Sequence, residues 1–235
     1  MPAPAISLQR QTDYDRVLAV ASLALGAGYL AALPAYPYAG SPILKGLSIA
    51  TLALLPWISK AAARRGDAGL LSAALVASAM GDVLLDVGPE RLFVPGLGAF
   101  LMAHLVYTVL FVRNRSRLPS IGALRRLMVA AVLGYAVLFT LWIAPNLGPL
   151  KIPVALYVCA ITAMIVTALG SRFDWRVCVG ALLFLASDSM LAAAKFKAPF
   201  AGRGYLVWAT YYTAQYLIVT GALGSSRKLP LVAEG

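Results

Sequence analysis

Apolar residues along this chain of 235 residues gather into long runs broken by short polar punctuation. Eight runs can be counted, at about 17–33, 42–59, 68–87, 93–112, 127–144, 150–169, 177–195 and 205–224. Each is near the roughly 20 residues that a helix needs to cross ~30 Å of hydrocarbon, where a helix satisfies its own backbone polar groups. The pattern predicts an all-α, polytopic integral membrane protein, a bundle of eight transmembrane helices forming a single membrane domain over 1–235. LPAYPY follows the first run, VGPER the third and APNLGP the fifth. Connections this short make helices adjacent in sequence antiparallel neighbours. The first run reads as a span and not as a cleavable signal, because Asp13 and Asp15 precede it where a signal peptide carries positive charge.

Composition agrees: 61% of residues are hydrophobic and only 12% charged, far from the globular average of about 25% charged. The net charge of +11 does not point to nucleic acid. Lys and Arg fall in short clusters between the runs, as in KAAARR, RNRSR and LRR, which suits anionic lipid headgroups. No basic groove interleaved with aromatics, of the kind a single strand needs, is visible. Of the 20 Lys and Arg, six (Lys45, Arg91, Lys151, Lys195, Lys197 and Arg203) fall on one side of the eight-span arrangement and the rest, Lys60, Arg64, Arg117, Arg227 and Lys228 among them, on the other. The excess of Lys and Arg on cytoplasmic loops then places both termini in the cytoplasm, with a bacterial inner (plasma) membrane as the expected location. Cys159 and Cys178 lie in or at the start of apolar runs and read as small buried packing residues, with no redox role.

Against this background a few polar residues stand out. Asp82, in GDVLLD, and Asp188, in ASDSM, lie well inside runs. A charged residue at the centre of a span costs roughly 2.5–3.5 kcal/mol even on insertion scales, so it marks a function or a paired partner. Asp86 shares the face of Asp82 one turn on and is expected at the solvated outer rim. His104, the only histidine, falls near mid-membrane with Tyr107 on the same face. The eighth run carries Thr210, Tyr211, Tyr212 and Gln215, and the seventh Ser187 and Ser189. A polar cluster built by the third, fourth, seventh and eighth helices satisfies them most simply. Plainer roles exist for several: an interfacial aromatic belt for Tyr211 and Tyr212, interhelical hydrogen bonds for Ser187, Ser189, Thr210 and Gln215, and snorkelling for Lys45.

Supply narrows the chemistry. One histidine and no clustered cysteines do not suit zinc, which takes three or four such ligands. No GxSxG elbow, phosphate loop or dinucleotide loop occurs. Two carboxyl groups with His, Tyr and Gln nearby suit general acid and base work. The same groups could build the proton relay of a coupled transporter or channel, or only a polar packing core.

SAMGDVLLD, FVPGLGAFLMAHLVYTVLF, GALLFLASDSMLAAAKF and ATYYTAQYLIVTG, in that order, resemble the YhhN family of membrane proteins, which includes the lysoplasmalogenases. The resemblance implies a hydrolase that cleaves the vinyl-ether bond of a lysoplasmalogen, a lysophospholipid drawn from the membrane, releasing a fatty aldehyde and a glycerophospho-alcohol. It implies no metal or organic cofactor. The family's paired aspartates correspond to Asp82 and Asp188. Vinyl-ether hydrolysis needs an acid to protonate the outer alkene carbon and a base to activate water. Asp82 is assigned as acid and Asp188 as base, an order the residues themselves leave open. His104, Tyr107, Ser187, Tyr211, Tyr212, Gln215 and Asp86 are expected to orient water and the carboxyl groups, and Lys45 and Arg91 to meet the phosphate.

Overall fold

A computed structural model describes residues 4–59, 65–116 and 122–226. Of the basic residues used above for orientation, Lys60, Arg64, Arg117, Arg227 and Lys228 lie outside the described residues. The described chain is helical throughout: α1 (Pro4–Ala32), α2 (Ser41–Leu52), α3 (Leu55–Ile58), α4 (Arg65–Val87), α5 (Phe93–Arg113), α6 (Ala123–Ile143), α7 (Lys151–Leu169), α8 (Trp175–Phe196) and α9 (Arg203–Ser226). Among the described residues, seven segments are long and apolar enough to cross a membrane. The eighth, α9, has the length, with 24 residues, but its polar residues Thr210, Tyr211, Tyr212 and Gln215 dilute its hydropathy. The molecule is an integral membrane protein.

Two elements depart from the expected runs. The second run is not one helix: α2 ends at Leu52 and α3 resumes at Leu55. Pro56 lies in the first turn of α3, the position where its missing N–H costs nothing, whereas within a continuous helix its ring would clash with the carbonyl four residues back. The first helix begins well before its apolar run, at Pro4, because no Gly or Pro interrupts the polar segment ahead of it.

Antiparallel pairs form where connections are short. α1 packs on α2, α4 on α5, α6 on α7 and α8 on α9; α4 also packs on α2. α5 and α6 are the exception, since α5 packs against α4 on one side and α7 on another. Below that contact the loops are tied by backbone bonds, Ser116 N–H to Gly170 O at 2.9 Å and Arg172 N–H to Asn114 O at 2.9 Å. Arg125 donates to Leu169 O and Ser171 O at 3.3 and 2.7 Å. Some of the basic residues at this end therefore cap helix ends, where carbonyls lack intrahelical partners, in addition to facing headgroups.

The core that carries the site is built from aromatic rings of α5, α8 and α9. Phe184 meets Phe100, His104 and Tyr211 edge-on, with centroids 6.3, 4.8 and 5.3 Å away. α4 and α5 approach closely through Gly81 and Gly96: a Cβ at Gly81 would lie 2.6 Å from Phe100 Cδ2, and one at Gly96 2.6 Å from Leu85 Cδ2. That approach seats Phe100 beside the residue that follows Gly81, which is Asp82. Of the two cysteines, Cys178 is buried as expected, but Cys159 is exposed, on an outward face of α7.

Candidate active site

Asp82 projects from α4 into a cavity of about 870 Å³ lined by residues of α1, α2, α4, α5, α8 and α9. Its side chain is only 3% exposed. Oδ2 accepts a hydrogen bond from Tyr211 Oη at 2.6 Å, and Oδ1 lies 3.7 Å from Lys45 Nζ. Behind Tyr211 the bonds continue: Gln215 Nε2 donates to Tyr211 Oη at 3.3 Å, and Tyr107 Oη donates to Gln215 Oε1 at 2.6 Å. Tyr211 and Gln215 are one turn apart on α9, so one helix face presents both. Every donor in this row is oriented toward Asp82, which fixes its carboxyl plane.

Asp188 lines the same cavity from α8 and is more open, at 15% side-chain exposure. Its Oδ2 accepts from Tyr157 Oη at 2.5 Å and lies 3.4 Å from His104 Nε2. His104 Nε2 is 3.0 Å from Tyr157 Oη. Since the Tyr157 hydrogen goes to Asp188, the tyrosine oxygen is left to accept from a hydrogen on His104 Nε2, while His104 Nδ1 is buried without a partner. Asp188 also lines a second, almost wholly apolar cleft between α5, α6, α7 and α8, with Leu97, Phe139, Val158 and Leu185 among its walls. Tyr157 and Ser189 are its other polar lining residues besides Tyr135. Asp188 thus sits where a polar cavity meets an apolar cleft.

The expected residues divide accordingly. Asp82, Asp86, Lys45, Ser187, Asp188 and Tyr211 line the cavity. His104, Tyr107 and Gln215 are fully buried behind it. Asp86 is not at a solvated rim: its carboxylate is 3% exposed and 3.9 Å from Lys45 Nζ. It accepts from Tyr29 Oη at 3.3 Å and from Ser41 Oγ, partners from α1 and α2 that pull it inward. Lys45 does not snorkel outward, because two carboxylates hold its ammonium, which also sits 5.7 Å from the ring centroids of Tyr29 and Trp208. Tyr212 turns away to α1, where its hydroxyl is 2.8 Å from Ser22 Oγ, and it takes no part in the cavity wall. Arg91 is exposed and likewise absent from that wall; it follows α4 in the turn before α5. Ser187 makes the interhelical bond expected, to Val207 O at 2.9 Å, whereas Ser189 and Thr210 bond back to carbonyls four residues earlier in their own helices.

Tyr157 is the residue the sequence reading passed over. It is the only hydroxyl-bearing aromatic of its run, and that isolation was the available signal. Tyr29 and Ser41 were passed over too; Ser41 begins a helix, where serine commonly caps and attracts no notice.

The fold and the site define a polytopic membrane protein in which two aspartates face an internal cavity joined to an apolar cleft. The profile of the YhhN family matches residues 40–222. The chain belongs to the YhhN family. It is 38% identical over 154 residues to a lysoplasmalogenase of Mycobacterium tuberculosis (strain CDC 1551 / Oshkosh), a match covering 63% of this chain and 58% of that one. It is 35% identical over 185 residues to lysoplasmalogenase TMEM86B of Homo sapiens, covering 78% of this chain and 75% of that one. With lysoplasmalogenase TMEM86A of Homo sapiens the identity is 34% over 163 residues, 64% of each chain. The chain therefore spans less than two thirds of the length of the mycobacterial relative. No solved structure matches it.

Proposed function

We propose that the protein hydrolyses the vinyl-ether bond of lysoplasmalogens within the membrane. The observation that carries this reading is the position of Asp188 at the junction of the polar cavity and the apolar cleft. A lysolipid has one chain and one headgroup, and the vinyl ether is the bond between them. With the chain in the cleft and the glycerol in the cavity, that bond lies at Asp188, and Asp82 faces the same space. The names of the relatives, at 33–38% identity, support the same substrate class.

The chemistry needs only what these residues supply. A carboxyl group protonates the outer alkene carbon, leaving an oxocarbenium ion at the carbon bonded to oxygen. The other carboxylate stabilises that cation and takes a proton from the water that attacks it. The hemiacetal so formed releases the glycerophospho-alcohol and a fatty aldehyde. Asp82 and Asp188 line the same cavity and so can divide the two roles, one as acid and one as base. Tyr211 and Tyr157 hold one oxygen of each carboxyl group, leaving the second oxygen of Asp188 free for the reacting atoms. We place the protein in a bacterial inner membrane with both termini cytoplasmic, on the Lys and Arg asymmetry described above; the cavity mouth then opens on the opposite side.

Purified protein incubated with a lysoplasmalogen should release fatty aldehyde. Asp82→Asn and Asp188→Asn should each lower kcat by about 10²–10⁴ while the protein still binds lysolipid. Full activity in both variants, or no aldehyde from the wild type, overturns the reading.

A further inference from the structure

Three charged side chains that the reaction does not use line the cavity: Glu90, Lys195 and Arg203. They come from three separate pieces of chain, the turn after α4, the last turn of α8 and the first turn of α9. Lys195 Nζ is 2.6 Å from Glu90 Oε2 and 3.4 Å from Pro89 O, so one ion pair bridges α8 to the α4–α5 turn. Glu90 is 83% exposed at its side chain, and an ion pair this open contributes little to stability. Its place on the cavity wall is what needs explaining.

Geometry relates this pair to the aspartates. Asp188, Leu191 and Lys195 fall at i, i+3 and i+7 on α8, one stripe of the helix, and all three line the cavity. Seven residues of helix rise about 10 Å, so Lys195 stands that far from Asp188 toward the helix end, and its flexible side chain can reach part of the way back. In a lysoplasmalogen, three glycerol carbons and an ester oxygen separate the vinyl-ether oxygen from phosphorus. A lipid whose vinyl ether lies at Asp188 and whose glycerol runs along this stripe brings its phosphate within reach of Lys195. Arg203, on the next helix, adds the planar donor fork suited to phosphate oxygens. The other cations named for this role in the sequence are engaged or displaced: Lys45 is held between Asp82 and Asp86, and Arg91 is off the wall.

We propose that Lys195 and Arg203 form a phosphate-ester subsite at the cavity mouth, and that Glu90 is the counter-ion an arriving phosphodiester displaces. The inference rests on the hydrolase reading only for the identity of the lipid. An empty site keeps the ammonium of Lys195 neutralised by Glu90. A bound phosphodiester takes over that ammonium, and the freed Glu90 carboxylate faces the headgroup beyond the phosphate.

The test is binding to the full-length protein in neutral detergent, with a saturated 1-O-alkyl glycerophosphocholine that cannot be cleaved and a 1-O-alkylglycerol of equal chain length that lacks the phosphate. The wild type should prefer the phosphorylated lipid, and Lys195→Ala/Arg203→Ala should reduce that preference by about tenfold or more, the order expected for losing charge-assisted bonds to phosphate. The alkylglycerol should bind both proteins equally. Glu90→Gln should bind the phosphorylated lipid more tightly than the wild type, and Arg91→Ala, a cation removed at the same end but off the wall, should change nothing. An undiminished preference in the double variant, an equal loss in Arg91→Ala, or no gain in Glu90→Gln overturns the proposal. Glycerophosphocholine without a chain, if it bound as tightly as the lipid, would move the subsite to soluble phosphate esters and overturn the lipid assignment. Because the analogue is not cleaved, these results stand apart from aldehyde release, which alone judges the hydrolase reading.

Discussion

Tyr211 and Tyr157 do the same work for different carboxylates: each is buried in aromatic surroundings and donates its hydroxyl to one oxygen of an aspartate, at 2.6 Å for Asp82 and 2.5 Å for Asp188. Behind each stands a second residue that fixes the tyrosine, Gln215 in one case and His104 in the other. A hydrogen bond to a charged acceptor contributes about 1.5–3 kcal/mol, so these contacts decide how the carboxyl groups point. Tyr157→Phe keeps the ring and its packing against His104, whose centroid is 5.1 Å away, and removes only the hydroxyl. The expected result is a kcat lower by about 10- to 100-fold with KM little changed, since the hydroxyl is spent on Asp188 and His104 while the ring that lines the cleft is kept. Measured kcat and KM on a lysoplasmalogen check this, and a rise in KM with kcat intact contradicts it. Lys45 acts at the same scale, as one ammonium shared by Asp82 and Asp86. The shared ammonium ties the α4 face that carries both aspartates to α2.

At the scale of elements, α8 and α9 carry Asp188 and Tyr211, and they are held in register by very close backbone contact. A Cβ at Gly180 would lie 2.8 Å from Ala214 O and 3.1 Å from Ile218 N, and one at Gly221 3.0 Å from Val177 N. Backbone atoms are among the nearest neighbours at both positions, and these cannot rotate aside. Gly180→Val should therefore lower stability by about 1–3 kcal/mol, the usual cost of overpacking, and reduce activity by shifting Tyr211 relative to Asp82. A melting curve in detergent beside an aldehyde assay tests it; an unchanged Tm means the helices part without strain. Such interfaces show why helices were legible along the chain and their neighbours less so. Length and hydropathy mark each run, and Asp82 and Asp188 stand out because charge is scarce in lipid. Which face meets which partner depends on contacts such as Gly180 against Ala214 that no run announces. Tyr157 was illegible for that reason: α7 lies against α5 as well as against its sequence neighbours α6 and α8, and nothing in its apolar run shows that the face carrying Tyr157 is the one that meets Asp188. Tyr212, one residue from Tyr211, reads identically in sequence yet faces α1, because neighbouring residues on a helix point about 100° apart.

At the scale of the whole molecule, the two spaces that meet at Asp188 divide a lipid into parts that separate helices recognise. The cleft is walled chiefly by apolar residues of α5, α6, α7 and α8, and the cavity by charged and aromatic residues of α1, α2, α4, α5, α8 and α9. The two walls share α5 and α8, but α6 and α7 line only the cleft and α1, α2 and α9 only the cavity, so chain and headgroup should be read separately wherever those helices make the contact. Ala136 is a small residue on the cleft wall contributed by α6, a helix of which only about a tenth of the apolar stretch, 11%, is buried within the protein. Ala136→Phe puts a ring into the cleft without disturbing a tightly packed core, and each buried methylene of a chain is worth about 0.8 kcal/mol. Its effect should depend on chain length: kcat/KM falls steeply for long alkenyl chains that must pass the new ring, and little for chains that end before it. The ratio between choline and ethanolamine headgroups should stay as in the wild type, because no residue of α6 lines the cavity. A series of lysoplasmalogens of graded chain length, each with both headgroups, separates the outcomes. A uniform loss across all lengths would show that the chain does not occupy this cleft, and a changed headgroup ratio would show that cleft and cavity are not read separately.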